Sequence, residues 1–121
     1  LIHGDTLYDN IYLPIDPQKD RVLLIDWQTW EIRLGTDDLA NLALFGMANP
    51  AADIMDTMLR RYHNGLLTHG VSGYSWEDCC HDWRLSTVRN LAIPINTGNL
   101  QVLKRAIQNF HALDCSQLLE N

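Results

Sequence analysis

The chain has 121 residues, of which 46% are apolar and 20% charged, the balance of one globular domain and too apolar for a disordered tail. Nine Lys and Arg against fifteen Asp and Glu give a net charge of −6, with no basic stripe for nucleic acid, so no nucleic-acid partner is expected. No run approaches the roughly 20 apolar residues of a membrane helix, since Asn41 and Gly46 break Leu39–Ala48, and no membrane partner is expected either.

The first third predicts short strands and turns. Asn10-Ile11-Tyr12-Leu13 is β-prone, Pro14 to Asp20 is rich in turn formers, and Arg21-Val22-Leu23-Leu24-Ile25 is a second apolar run. Two short strands joined by a polar loop predict a β-hairpin. An isolated hairpin is marginally stable, so it is expected to pack on helices or on further chain.

The rest predicts about four helices. Leu39, Leu42, Ala43 and Phe45 fall on one face after Asp37-Asp38, with Asp38 expected as a helix N-cap in preference to binding substrate or bracing the loop near Asp5, and Asn49-Pro50 as the stop. A second helix is expected from about Ala51 to Leu67, striped by Ile54, Met55, Met58, Leu59, Tyr62 and Leu66. Gly70 to Gly73 predicts a loop. Ser75 then predicts an N-cap, with Asp78 as its capping-box partner. That third helix carries Trp76, Cys80, Trp83, Val88 and Leu91, and Pro94 is expected to end it. Asn99 opens a fourth, with Leu100, Leu103, Ile107, Phe110 and Leu113 in phase. Strands followed by helices imply an α+β class. Residues 1–121 are expected to form a single domain.

One constellation carries chemistry. His3-Gly4-Asp5, four residues and Asn10 spell H-G-D-x-x-x-x-N, and sixteen residues later Ile25-Asp26-Trp27 closes an apolar strand. Phosphoryl transfer needs these residue types: a loop Asp to accept a hydroxyl proton, then an Asn and a second Asp whose oxygens suit Mg²⁺. The loop must fold back so that Asp5 and Asn10 face one triphosphate, and the hairpin must return Asp26 to the same cleft.

The segments H-G-D-T-L-Y-D-N-I-Y-L, L-L-I-D-W-Q and G-T-D-D-L-A resemble the aminoglycoside phosphotransferase and choline kinase-like family. The D-W-Q wording, with Tyr62-His63, Gly70-Val71 and Tyr74-Ser75-Trp76-Glu77, resembles its ecdysteroid-kinase-like branch. The resemblance spans most of the chain, but its specific motifs lie within residues 3 to 40. It implies a protein-kinase-like C-terminal lobe in which Asp5 is the catalytic base and His3 shapes the catalytic loop. It implies Asn10 and Asp26 as ligands of Mg²⁺ and binders of ATP, with a small-molecule hydroxyl as acceptor. Where many relatives carry His-Pro-Gly in this loop, Leu7-Tyr8-Asp9 stands here. The family's N-terminal nucleotide lobe has no counterpart in these residues. Leu1 opens the chain without Met or a leader, so it is expected to be the C-terminal part of something longer, poorly active alone.

The competing readings are structural. Asp5 as a turn cap, Asn10 as a turn former and Asp26 as an ion-pair partner are the alternatives for the two acids and the amide. Asp53, Asp56, Glu77, Asp78 and Asp82 are expected on solvated helix faces rather than around a cationic substrate. Trp76 and Trp83 are expected in the core, and His63 and His69 at the surface. Cys79, Cys80, His81, His111 and Cys115 lack a C-x-x-C pair, which argues against zinc. Three sparse cysteines and no signal peptide fit a reducing, cytoplasmic setting. The rival to an enzyme is a non-catalytic, pseudokinase-like binding module.

Overall fold

The computed structural model describes residues 1–47 and 52–120. The class is α+β: one small antiparallel hairpin followed by helices. A single turn of 3₁₀ helix at Tyr8–Asn10 leads into β1 (Ile11–Tyr12), which pairs with β2 (Leu23–Leu24) in the register Ile11 to Leu24 and Tyr12 to Leu23. The connecting turn is organised by Asp16, whose side chain accepts Gln18 N at 3.0 Å and whose carbonyl accepts Asp20 N at 2.9 Å. The strands are shorter than the sequence suggests. Among the described residues no helix covers them, and Tyr12, Leu23, Leu24 and Ile25 are all exposed. A second 3₁₀ turn, Trp27–Thr29, follows, and an Ile2–Glu31 bridge sews the start of the chain to this segment.

The helices are α1 (Thr36–Asn41), α2 (Ala52–Thr68), α3 (Trp76–Asn90), α4 (Ala92–Thr97) and α5 (Leu100–Ala112). Helix α1 runs directly into a wider π-turn at Leu42–Gly46, and the expected stop at Asn49-Pro50 lies outside the described residues. Helix α3 starts as the sequence predicts: Ser75 Oγ accepts Asp78 N at 3.0 Å, and Asp78 accepts Ser75 N at 3.1 Å. Its end differs from expectation. It stops at Asn90, and Pro94 sits inside the first turn of α4, where the missing N–H costs no helical bond. Gly98, at φ 67°, closes α4 in the left-handed conformation. Asn99 Oδ1 then caps α5 by accepting Val102 N at 3.1 Å. A last 3₁₀ segment, Cys115–Leu119, packs on α3 and α5.

Helix α3 is the hub. Trp83, Cys79, Met55, Leu59 and Ala43 form one core cluster, while Leu44, Val102 and Ala106 form a smaller one beneath α5. Burying Trp83 alone removes enough apolar surface to be worth about 3–5 kcal/mol against alanine. One buried and one partly buried polar contact bolt α1 to α3. Thr36 Oγ1 and Ser86 Oγ share a hydrogen bond of 2.8 Å, and Arg89 donates to Asp37 at 2.9 Å. His63, expected at the surface, is buried, with its Nε2 at 3.0 Å from Tyr74 O and its ring against Trp76. His69 is exposed as expected. Among the described residues no helix is long and apolar enough to cross a membrane.

Candidate active site

Asp5 and Asn10 are held together by their own side chains. Asn10 Nδ2 donates to the carbonyl of Asp5 at 2.9 Å and to its carboxylate Oδ2 at 3.0 Å. The 3₁₀ turn at Tyr8–Asn10 makes this possible, because it brings position ten back over position five. Spending both amide hydrogens on Asp5 leaves Asn10 Oδ1 with no donor among the described residues.

His3 connects this loop to the hairpin. Its ring is buried, its Nδ1 accepts Asp5 N at 3.3 Å, and its Nε2 lies 2.7 Å from Ile25 O. Nδ1 accepts, so Nε2 carries the proton and donates. The edge of Trp27 packs on the same ring, with centroids 4.7 Å apart, and Trp27 Nε1 donates to Leu24 O at 2.9 Å.

Asp26 follows at once. Ile25 N donates to Asn10 O at 3.0 Å, so Asp26 leaves the hairpin one residue beyond a bond to Asn10. Its backbone is left-handed, at φ 63°, a conformation that Asp tolerates better than most residues and that turns the chain sharply out of the strand. Its carboxylate touches only Gln28 Nε2, at 3.4 Å, and no arginine pairs with it among the described residues.

Asp38 does not cap its helix. The residue before α1 is Gly35, and no side chain caps there. Instead the Asp38 carboxylate reaches back to the loop: Oδ2 accepts His3 N at 2.7 Å and Oδ1 accepts Gly4 N at 2.9 Å. The sequence reading preferred the cap because Asp is common at helix starts. The long-range bond wins because two N–H groups of a buried loop have no other partner. Gly4 is needed here, at φ 85°, since a Cβ would lie 2.3 Å from Thr29 O. Three consecutive residues thus do two jobs: Thr36 and Asp37 fasten α1 to α3, and Asp38 fastens the loop to α1.

Beside Asp5 lies a hollow of about 230 Å³, lined by Gly4, Asp5, Leu7, Asn41, Phe45 and Ile93. The sequence pointed to Asn41 only as a polar break in an apolar run, and gave no sign that Phe45 or Ile93 would meet Asp5. The five acids of the helical half lie elsewhere. Asp56 pairs with Arg60, Asp82 accepts from Tyr74 at 2.8 Å, Asp78 caps α3, and Asp53 and Glu77 are exposed. Trp83 is core, while Trp76 is half-buried, with the Arg60 guanidinium 4.4 Å from its ring centre. None of the cysteine and histidine residues considered for zinc joins a metal-binding group among the described residues.

Comparisons with family models, curated proteins and solved structures gave no match.

The donor set suits a hard cation. The Asn10 amide oxygen is uncommitted, and the Asp26 carboxylate at the end of the same hairpin spends only one oxygen, on Gln28. Mg²⁺ takes one or two such protein ligands and completes its shell with water and phosphate oxygens.

Proposed function

We propose that this chain is the metal- and acceptor-binding half of a small-molecule phosphotransferase, with the protein-kinase-like C-terminal lobe of the aminoglycoside phosphotransferase and choline kinase-like family. It would move the γ-phosphoryl group of ATP to a hydroxyl group. One observation carries the reading: Asn10 grips Asp5 through both of its amide hydrogens while its oxygen stays free. A turn-forming Asn has no need of that arrangement.

In this reading Asp5 orients the acceptor hydroxyl and takes its proton as the new oxygen–phosphorus bond forms. The bond from the γ-phosphorus to the bridging oxygen breaks, and ADP leaves with that electron pair. Asn10 and Asp26 hold Mg²⁺, which when bound offsets the negative charge of the phosphates. His3 and Asp38 position the loop: they fix Gly4 and Asp5 against the hairpin, so that base and metal ligands keep one geometry. In this reading a nucleotide lobe of the family's kind completes the ATP cleft, and without one the 121 residues are expected to turn ATP over feebly. Its three free thiols suit the reducing cytoplasm.

The test begins with metal. Substoichiometric Mn²⁺, standing in for Mg²⁺, is expected to broaden the amide resonances around Asn10 and Asp26, and Asp26→Asn is expected to remove that broadening. Broadening spread over surface acids such as Asp53 and Glu77, unchanged by the substitution, would overturn the reading in favour of a non-catalytic binding module.

A further inference from the structure

The hollow beside Asp5 does not end there. Gly4, Asn41 and Ile93 line it and also line a second, larger hollow of about 470 Å³, whose far wall carries Arg33, Arg89 and Asp37. The two hollows adjoin at these shared residues. The near one holds the Asp5 carboxylate with Leu7 and Phe45, Ile93 lies where they meet, and the far one holds two guanidinium groups.

At the far end each guanidinium is ion-paired, Arg89 with Asp37 and Arg33 with Glu31, whose side chain at 52% is more exposed than the 38% of Arg33. Asp37 is 8% exposed and lies beneath Arg89, whose side chain is 45% exposed, so the charge that faces solvent in this pair is positive. Arg89 spends NH1 on Asp37, and Arg33 spends Nε on Glu31. Each guanidinium has five N–H donors, so both keep donors to offer, in the planar fork that matches carboxylate and phosphate oxygens. Asp5 and Asp37 are the acidic residues of the two hollows among their described lining. The carboxylates that would attract a cationic acceptor are those of the helical half, and each is paired, capping or on another face.

We propose that the acceptor is an alcohol bearing an oxyanion, a carboxylate or phosphate, with its hydroxyl at Asp5, its apolar body over Phe45 and Ile93, and its anionic end at Arg33 and Arg89. This rests on the phosphotransferase reading of Asp5, but recognition at the arginine end is read from the hollows alone.

Binding is the test, without nucleotide. Four probes of one length are compared by amide chemical-shift titration: ω-hydroxydecanoate, its methyl ester, ω-hydroxydecyl phosphate and ω-aminodecanol. The acid and the phosphate are expected to shift Gly4, Asn41 and Ile93 and to bind at least about tenfold tighter than the ester, as a lost charge-assisted contact implies. The ratio of acid to phosphate affinity distinguishes the two anions. Arg33→Gln, at an exposed pair whose loss the fold tolerates, is expected to abolish the preference for acid over ester. Arg89→Lys keeps a charge on Asp37 but loses the fork, and is expected to reduce it. Equal binding of acid and ester, or tighter binding of the amino alcohol, would overturn the proposal while leaving the Mn²⁺ result untouched. Tight binding of the acid without metal at Asn10 and Asp26 would overturn the acceptor role instead.

Discussion

The Asp38 carboxylate accepts the backbone N–H of His3 at 2.7 Å, across 35 residues of sequence. Its other oxygen takes Gly4 N, so one side chain satisfies two successive donors of the His3–Asn10 loop. Asp38→Asn can accept only one of them, and its NH₂ group would face the other. The expected loss is about 1–3 kcal/mol of stability, the cost of an unsatisfied buried donor. Thermal unfolding measures it. Hydrogen exchange is expected to speed up at His3 and Gly4 first, whereas loss of a helix cap would speed α1.

Asp5→Asn is expected to separate chemistry from folding. The amide of Asn10 keeps its bond to the Asp5 carbonyl, so the melting temperature is expected to stay near wild type. On the phosphotransferase reading, phosphoryl transfer is expected to fall by about 10²–10⁴-fold, the worth of a positioned general base. A coupled ADP-release assay reads the change, and an unchanged rate would remove Asp5 from the role proposed for it.

Gly4→Ala is expected to cost more than about 2 kcal/mol, because left-handed strain adds to a Cβ lying 2.3 Å from Thr29 O. Gly98→Ala is the control. Its φ is also positive, at 67°, but its Cβ would meet open space, so only about 1 kcal/mol is expected. Urea midpoints for the two variants give the difference directly, and equal losses would show that the close approach at Thr29 is not what Gly4 serves.

The thiols set a pH limit. Burial pushes Cys115 up to about 11, helped by nearby Asp114 and opposed by Arg84. Burial raises Cys79 and Cys80 as well. An unfolded thiol ionises near pH 8.5. Above that value the unfolded chain loses protons that the folded chain keeps, so stability is expected to fall from about pH 8.5 towards 11. Urea unfolding at neutral pH and at about pH 10 measures the decline. Cys115→Ala is expected to flatten it, and an identical decline in that variant would exclude this thiol as the cause. In the native protein an aromatic disulfide reagent is expected to label half-buried Cys80 before buried Cys79 and Cys115.

Trp83→Ala is expected to cost about 3–5 kcal/mol, since its ring is buried in the cluster that joins α2 to α3. Trp76→Ala, at a half-buried ring stacked by Arg60, is expected to cost less than half as much. Chemical denaturation of both variants checks the order.

Local chemistry made much of the chain legible before any fold was known. Ser75 with Asp78, and Asn99, mark helix starts because capping needs only a side chain and amides three positions on. The apolar runs on either side of the Pro14–Asp20 stretch mark the hairpin for the same reason, and H-G-D-x-x-x-x-N set Asp5 and Asn10 within reach of one turn. What the sequence could not assign was any role that depends on a partner far along the chain. Asp38 has the chemistry of a cap, and only packing of α1 against the loop gives it His3 and Gly4 to bind. His63 has the composition of a surface residue, and only the approach of Tyr74 and Trp76 buries it. Phe45, Ile93, Arg33 and Arg89 come from four separate segments, and the fold sets Phe45 and Ile93 beside Asp5 in one hollow and Ile93 beside Arg33 and Arg89 in the adjoining one. Periodicity and capping act over a few residues and are written in the order of amino acids. Which N–H groups a fold leaves for a distant carboxylate is decided only when the elements pack.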